Sequence, residues 1–229
     1  MSMLPLIAAG AAALAVTAIV APQAAKLAIL LEVDDRPRDR KVSDRKGIPL
    51  LGGLAVVVGC LLGVFVFGLF AEPAEFLIVR GQLATFMAGG TLLVLLGAWD
   101  DRFELSAWQK IPFQALASMI AINGGFVIDY FTNPFTLTTS PIPLWLSWLI
   151  TLGWIMIVTN AMNLIDGLDG LSAGTGAIIA GTLGVICYQA DQVGGLLIAV
   201  VTMCALLGFL PFNFPPARIF LGDAGALFI

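Results

Sequence analysis

Seven apolar runs of about twenty residues each dominate this chain of 229 residues and restrict what it can fold into. A transmembrane helix needs roughly 20 mainly apolar residues. The runs are continuous instead of alternating, which favours helices over a β-barrel. Only 11% of the residues are charged, whereas a soluble domain carries about a quarter. We therefore predict an all-α polytopic membrane protein, a single integral membrane domain over residues 1–229, with spans at about 4–21, 50–70, 79–99, 110–128, 144–161, 172–189 and 193–212 and the start of an eighth near Ala224.

Basic residues are distributed unequally between the connections on the two sides of this predicted bundle. Arg80 lies beside the connections on one side, and the other ten of the 11 Lys and Arg residues lie in or beside those on the opposite side. Short loops rich in Lys and Arg stay in the cytoplasm. The N-terminus is thus predicted to lie outside, and the cytoplasmic connections are 22–49, 100–109, 162–171 and 213–223.

Two of the connections have local features of their own. Residues 22–33 either extend the first helix or lie as an amphipathic segment on the cytoplasmic surface. Residues 127–142 contain Asn133-Pro134 between flanks with Thr, Phe and Val, a pattern typical of a turn between two strands. We expect a small external β-hairpin there.

Carboxylates are clustered in the connections assigned to the cytoplasm. An ionised side chain near hydrocarbon costs a few kcal/mol or more, so such groups are rare there and usually functional. Their convergence on one interface predicts an active site built by several helix ends. The clusters are Asp34-Asp35, Asp100-Asp101, the run from Asn163 to Gly170, and Gly222-Asp223.

The adjacent pair Asp100-Asp101 closes the third predicted span. Carboxylates at a helix C-terminus face the negative end of the helix dipole. Two unit charges about 4 Å apart repel by roughly 4 kcal/mol at an effective dielectric of about 20. A divalent cation would relieve this repulsion, although a solvated turn would also explain the motif.

The run NLIDGLDGL, residues 163–171, has its polar residues at regular spacing. Asn163, Asp166 and Asp169 are three residues apart and would share one face of a helix. Gly167 and Gly170 allow the backbone to approach a ligand closely. Asn, Asp and Gly also form ordinary turns, and that alternative stays open.

The segment FNFPPARIFLGDAG, residues 212–225, offers groups that suit a phosphate and a base. Arg218 can pair with a phosphate, and Phe220 can stack on a base. Asp223 lies just before the next helix, where capping alone would explain an acid. The basic run from Arg36 to Lys46 is either a membrane anchor or a site for an anionic substrate. It precedes Gly52-Gly53, whose N–H groups at a helix start favour phosphate.

Together these clusters indicate phosphoryl transfer at a membrane interface with a bound cation. Mg²⁺ takes oxygen ligands and usually joins carboxylates to substrate phosphates, and Mn²⁺ can replace it. The net charge of −4 gives no basic surface for a nucleic acid. The chain has no histidine, and its three cysteines lie in apolar runs without metal or disulfide spacing.

Two other functions are compatible with parts of the sequence. Asp166, Asp169, Gly170 and Ala173 fit the start of the CDP-alcohol phosphotransferase motif, but Gly174 stands where that motif requires Arg. Intramembrane carboxylates also occur in ion-coupled transporters, which place them near the middle of the bilayer. Acids at mid-bilayer would favour the transporter, and acids at the cytoplasmic boundary would favour the transferase.

Four stretches resemble the polyprenyl-phosphate N-acetylhexosamine-1-phosphate transferases, the group that contains MraY, WecA and TagO. The forms DDRFELS and TNAMNLIDGLDG are more similar to the WecA/TagO branch. The stretches occur in the family's order and involve all four cytoplasmic loops: DRPRDRKVSDRKGIPLLGG (35–53), GAWDDRFELSAWQKIPFQ (97–114), TNAMNLIDGLDGLSAG (159–174) and NFPPARIFLGDAGALF (213–228).

This resemblance implies transfer of a sugar 1-phosphate, by default GlcNAc 1-phosphate, from a UDP-N-acetylhexosamine to undecaprenyl or decaprenyl phosphate. UMP is released, and the product starts a cell-envelope polysaccharide such as lipopolysaccharide or teichoic acid. The implied setting is the bacterial inner membrane, with a cytoplasmic active site and a homodimer as one possible assembly.

The resemblance also implies roles for individual residues. The catalytic acids would be Asp100, Asp101, Asp166 and Asp223, and the Mg²⁺ ligands would come from Asp223, Asp166 and Asp100. The substrate-binding residues would be Asn163, Gly167, Asp169, Asn213, Phe220, Lys46 and Arg218, with Asn213 and Phe220 near the uracil.

Two departures from the family pattern accompany these matches. Val42-Ser43 stands where the first loop usually has a His. The family continues beyond the position matching Ile229, through further spans and a loop rich in His and Arg. We therefore expect the chain to be a fragment of a longer transferase.

Overall fold

The computed structural model describes residues 3–35 and 47–229, and within these ranges the chain is mainly helical. Eight helices and two short antiparallel β-ladders occur in the described part. The helices are α1 (Met3–Leu30), α2 (Gly52–Phe70), α3 (Pro73–Phe103), α4 (Ala107–Asn123), α5 (Leu144–Ile165), α6 (Leu171–Gln189), α7 (Val193–Asn213) and α8 (Gly222–Ala226); the strands are β1 (Asp34–Asp35), β2 (Ile48–Pro49), β3 (Tyr130–Thr132) and β4 (Thr139–Pro141).

Six of the described helices, α1, α2, α3, α5, α6 and α7, are long and apolar enough to cross a membrane. The predicted span at 110–128 corresponds to α4, which has 17 residues; it begins earlier than predicted, after the capping residue Ser106, and ends earlier, at Asn123 before Gly124. It lies antiparallel along α3, because Lys110 meets Asp100 at one end and Gly124 meets Thr85 at the other. Seven helices therefore connect the same two ends of the bundle, and the prediction of an all-α polytopic membrane protein is confirmed.

The interior of the bundle is built mainly by α1, α2 and α7, with α6 against α7. Small apolar residues such as Ala13 and Cys60 are fully buried there, and larger ones such as Val201 and Phe209 fill the remaining space. Small residues let helix backbones approach closely in a membrane, where packing replaces the hydrophobic effect. This compact half supports the helix ends that carry the acids.

Two of the predicted connections can be compared with the structure. Residues 22–30 belong to α1, which continues through Pro22, so the first of the two alternatives for this segment is confirmed. The expected hairpin forms as well, with β3 paired to β4 in antiparallel register. It lies at the end of the bundle opposite the acids, and its position outside the cell stays a prediction.

The first predicted cytoplasmic connection contains a ladder that the sequence did not predict. Asp34 pairs with Pro49, and Asp35 pairs with Ile48. This ladder brings the chain from the end of α1 to the start of α2. Lys46 and the rest of the basic run lie outside the described residues.

Candidate active site

Helix ends from three distant parts of the chain meet at one polar cluster. Asp223, at the start of α8, is its centre. Its Oδ1 accepts a 2.6 Å hydrogen bond from Asn163 Nδ2 near the end of α5. Its Oδ2 lies 3.7 Å from Lys110 Nζ in the first turn of α4. Lys110 also forms an ion pair with Asp100, whose other oxygen accepts a 2.7 Å hydrogen bond from the backbone N–H of Leu105.

Asp101, the second acid of the adjacent pair, has different partners from Asp100. Asp101 accepts hydrogen bonds from the backbone N–H groups of Asp223, at 2.8 Å, and Ala224, at 3.3 Å. These are N–H groups in the first turn of α8, which have no partner inside the helix. Asp101 thus fixes the start of α8 from α3, while Asp100 points to Lys110.

Close backbone contacts also hold α8 in place. It lies between α2 and α3, opposite Gly53 and Gly97. A Cβ on Gly53 would overlap the backbone of Gly225, and one on Gly97 would overlap that of Ala224. Glycine at both positions lets α8, and with it Asp223, approach the bundle this closely.

The turn after α5 is joined to the loop before α8 by side-chain hydrogen bonds to backbone groups. Asp166 Oδ2 accepts from the N–H of Gly222 at 3.0 Å, and Asp169 Oδ2 accepts from that of Ala217 at 2.9 Å. Asn213, which is buried at the end of α7, accepts a hydrogen bond from the N–H of Gly170 at 3.1 Å. It also donates to the carbonyl of Ile219, in the loop before α8, at 3.0 Å. Asn163 thus lies in the last turn of α5, and Asp166 and Asp169 lie in the turn that follows it. The side chains of all three contact α8 or the loop before it.

The acids around this cluster repel one another. Burial, followed by the neighbouring Asp100 carboxyl, raises the pKa of Asp223 to about 7. Burial, followed by the charge of Asp223, raises the pKa of Asp166 well above its usual value. A bound cation would relieve both effects, because it favours the ionised form of each carboxyl.

An open polar cavity of about 350 Å³ adjoins the cluster. Its wall contains six acidic residues and only two basic ones, so its charge suits a cation. The charged residues are Glu32, Asp34, Asp100, Asp101, Glu104, Asp223, Arg102 and Lys110.

The residues fit a hard divalent cation by their chemistry, because carboxylate oxygens are the ligands that Mg²⁺ prefers. The excess of acidic over basic side chains in the cavity wall also favours a cation. Within residues 3–35 and 47–229, however, no three acidic, His or Cys side chains are already grouped as a metal requires. The Lys110 ammonium neutralises part of the charge between Asp100 and Asp223.

Several predicted substrate-binding residues have other surroundings in the structure. Phe220 is buried against Ile48 and Ala217, so its ring has no open face for a base in this arrangement. The N–H groups of Gly52 and Gly53 donate to the carbonyls of Phe220 and Leu221 at 2.9 and 2.7 Å. Both donors are therefore already used within the protein and are not open to a phosphate. Gly167 and Arg218 are exposed at the surface near the cluster, as a binding role requires.

Lys110 belongs to the cluster, but the sequence did not single it out as a candidate site residue. In the sequence, its charge only helps to assign the neighbouring connection to the cytoplasm. Its position at the start of an apolar helix, ten residues after Asp100, was the available signal, because a basic group there needs an acidic partner. Only the fold shows that it has two.

Comparison with known proteins gives consistent matches. Residues 83–229 match the profile of glycosyl transferase family 4. The chain is 36% identical over 211 residues to the "Probable undecaprenyl-phosphate N-acetylglucosaminyl 1-phosphate transferase" of Bacillus subtilis (strain 168), covering 92% of this chain and 56% of the relative. It is 35% identical over 206 residues to the "Decaprenyl-phosphate N-acetylglucosaminephosphotransferase" of Mycolicibacterium smegmatis, covering 84% and 50%.

A third relative comes from another branch. The chain is 33% identical over 199 residues to the "Phospho-N-acetylmuramoyl-pentapeptide-transferase" of Lacticaseibacillus paracasei, covering 80% of this chain and 58% of the relative. The chain thus spans about half the length of the curated relatives that it matches.

Proposed function

Because the chain belongs to glycosyl transferase family 4, we propose that it forms part of a transferase that acts on polyprenyl phosphate. The donor is a UDP-N-acetylhexosamine, with UDP-GlcNAc the first choice, since relatives named for N-acetylglucosamine transfer share 36% and 35% identity with it. The products are a polyprenyl-diphosphate sugar and UMP. The product starts a cell-envelope polysaccharide.

One observation carries the proposal: Asp223 contacts Asn163 and Lys110, which come from two other helices, at one end of the bundle. Phosphoryl transfer depends mainly on positioning and on electrostatic stabilisation, and such a cluster supplies both. A transporter would place its acids in the middle of the helices. Here Asp100 lies in the last turn of α3, and Asp166 follows the end of α5. The family match does not favour the CDP-alcohol phosphotransferase alternative either.

The reaction is an in-line displacement at phosphorus. An oxygen of the polyprenyl phosphate forms a new P–O bond to the sugar-linked phosphorus, and the P–O bond to UMP breaks. Lys110 offers a positive charge to the phosphates, and Asn163 keeps Asp223 oriented. Mg²⁺ or Mn²⁺ held by Asp100, Asp166 and Asp223 would neutralise the diphosphate.

The donor would lie against the turn after α5 and the loop before α8. Both segments are joined by Asp169 and Asn213, so they form one surface. We assign donor contacts to Asn163, Gly167 and Arg218 there, with Asn213 and Phe220 supporting the loop from inside. The protein is a multi-pass membrane protein, and the basic connections favour the cytoplasmic face of the inner membrane. The homodimer stays a prediction.

A donor screen on the complete protein tests this function. UMP release is measured in detergent with undecaprenyl phosphate, Mg²⁺ and a series of UDP-2-acetamido sugars. We expect release with UDP-GlcNAc that requires the lipid phosphate. Release that does not depend on the lipid, or none with any donor, would contradict the proposal.

A further inference from the structure

A pair of amides lies one helical turn away from the acidic cluster. Gln114 follows Lys110 by four residues on α4, and Asn160 precedes Asn163 by three residues on α5. The two helices run antiparallel, so both amides lie one turn towards the hairpin end. Gln114 Nε2 donates to Asn160 Oδ1 at 3.2 Å, and Asn160 Nδ2 donates to Gln114 Oε1 at 3.0 Å.

The pair is specifically built rather than incidental. Gln114 is 2% exposed, so its amide depends on a protein partner. Asn160 uses its second N–H as well, donating at 2.7 Å to the carbonyl of Met156 in its own helix. That third bond fixes the orientation of the Asn160 side chain before it meets Gln114. Within residues 3–35 and 47–229, the hydrogen bonds of the two amides go to each other and to Met156 and not to the acids.

Near the acids, Asn163 and Asp166 bond the end of α5 to the start of α8, but not to α4. Of the 22 residues of α5, only Ser147, Thr151, Thr159 and Met162 are buried. At the hairpin end, the backbone of Ile128 is bonded to Thr151, at 2.9 Å, and to Ser147, at 2.8 Å. At the acidic end, the amide pair is the side-chain hydrogen-bonded link between α4 and α5 in the described part of the chain.

We propose that Gln114 and Asn160 are positioning residues that set the axial register of α4 against α5. This register lets Lys110 and Asn163 reach the two oxygens of Asp223 from opposite sides. A shift of α4 along α5 would move Lys110 relative to Asn163 and so disturb their contacts with Asp223 without unfolding the bundle. The inference rests on the proposed function for its kinetic test.

The experiment compares apolar and reciprocal variants of the complete protein. Hydrogen bonds between membrane helices contribute about 0.6 kcal/mol on average and about 1.7 kcal/mol at most, which corresponds to about threefold to twentyfold in rate. We expect Gln114→Met and Asn160→Leu each to lower kcat for UMP release by that factor. The double variant Gln114→Asn/Asn160→Gln keeps the summed length of the two side chains and should return kcat to within about twofold of the unchanged protein.

Two control variants separate positioning from stability. Ser147→Ala loosens α5 at the hairpin end, and we expect a lower melting temperature with kcat within about twofold. Asn123→Leu replaces an amide that bonds only within α4, and we expect no change in kcat. Unchanged kcat in both Gln114→Met and Asn160→Leu would overturn the inference. So would a kcat of the reciprocal double variant that is no higher than the kcat of the slower of Gln114→Asn and Asn160→Gln.

Thermal unfolding provides a readout that does not need turnover. Gln114→Met and Asn160→Leu remove the same contact. The loss in melting temperature of the double variant Gln114→Met/Asn160→Leu should therefore be smaller than the sum of the two single losses. Additive losses would overturn the inference. An unchanged protein that releases no UMP with any donor would refute the proposed function instead, and the unfolding data would then decide on the amide pair alone.

Discussion

Asp101 accepts a 2.8 Å hydrogen bond from the backbone N–H of Asp223, although 122 residues separate the two in the chain. The adjacent acids Asp100 and Asp101 therefore have different structural roles. Asp101 holds the start of α8, and Asp100 holds Lys110. Two neighbouring carboxylates with similar sequence contexts therefore act on the same centre by different routes.

Substitution of Asp101 should separate its structural role from its charge. Asp101→Ala removes both acceptors of the first turn of α8 and should lower the free energy of unfolding by about 1–2 kcal/mol. UMP release by the complete protein should fall at least tenfold, because Asp223 moves with α8. Asp101→Asn keeps one acceptor and should lose less than half of that stability, measured by thermal unfolding in detergent. Equal losses in the two variants would argue against the capping role.

Removal of Lys110 should expose the cost of the acids that it neutralises. The side chains of Lys110 and Asp100 are only 17% and 4% exposed, and breaking such a pair by removing one partner costs roughly 3–5 kcal/mol. We expect a loss of that order in Lys110→Met. The double variant Lys110→Met/Asp100→Asn should recover part of it, because no buried charge is left unpaired at this contact. The single variant Asp100→Asn completes the comparison. If the loss in the free energy of unfolding of the double variant equals the sum of the losses of Lys110→Met and Asp100→Asn, the ion pair does not stabilise the site.

Two glycines of α3 form a matched pair for testing the position of α8. Gly97→Ala introduces a Cβ that overlaps the backbone of Ala224, so α8 must shift and UMP release should fall at least tenfold. Gly81→Ala adds the same group where nothing lies within 4 Å, and a helical Ala should stabilise α3 by about 0.5–1 kcal/mol. Both variants are assayed for UMP release and melting temperature. Full activity in Gly97→Ala would show that the close approach of α8 is not required.

Chelation should stop the reaction. The cavity beside Asp223 is lined by six acidic and two basic residues, and a diphosphate would add negative charge to it. We expect EDTA to abolish UMP release, Mg²⁺ to restore it, and Mn²⁺ to replace Mg²⁺ in part. EDTA already saturated with Mg²⁺ serves as the control for the chelator itself. Turnover that survives metal-free EDTA would exclude the divalent ion from the mechanism.

The sequence predicted the features that depend on local composition. Apolar length located the spans, and Asn133-Pro134 located the turn between β3 and β4. The continuity of α1 through Pro22 stayed undecided, because a proline favours but does not enforce a break in a helix that neighbours support. The predicted bounds of α4 were too late in the chain, because the helix begins after the capping residue Ser106 and ends before Gly124.

Relations between distant segments were beyond sequence reasoning. Nothing local to Lys110 shows that it faces Asp100 and Asp223, since both contacts depend on how α4 lies along α3. Phe220 carries an aromatic ring three residues before Asp223, which suggests a ligand, but tertiary packing buries the ring. The N–H group of Gly52 donates to the carbonyl of Phe220, 168 residues later in the chain. Such partners are chosen by the fold.

We propose that Asp223 and the helix ends around it form one catalytic site. Asp223→Asn tests it most directly, because the amide keeps the shape of the side chain and can still contact Asn163, while the charge is lost. UMP release by the complete protein is measured with UDP-GlcNAc, undecaprenyl phosphate and Mg²⁺, beside the melting temperature. We predict a rate lower by at least two orders of magnitude, about 3 kcal/mol in the barrier, at an unchanged or higher melting temperature. An unchanged rate of UMP release in a folded variant would show that the charge of Asp223 is not needed for catalysis.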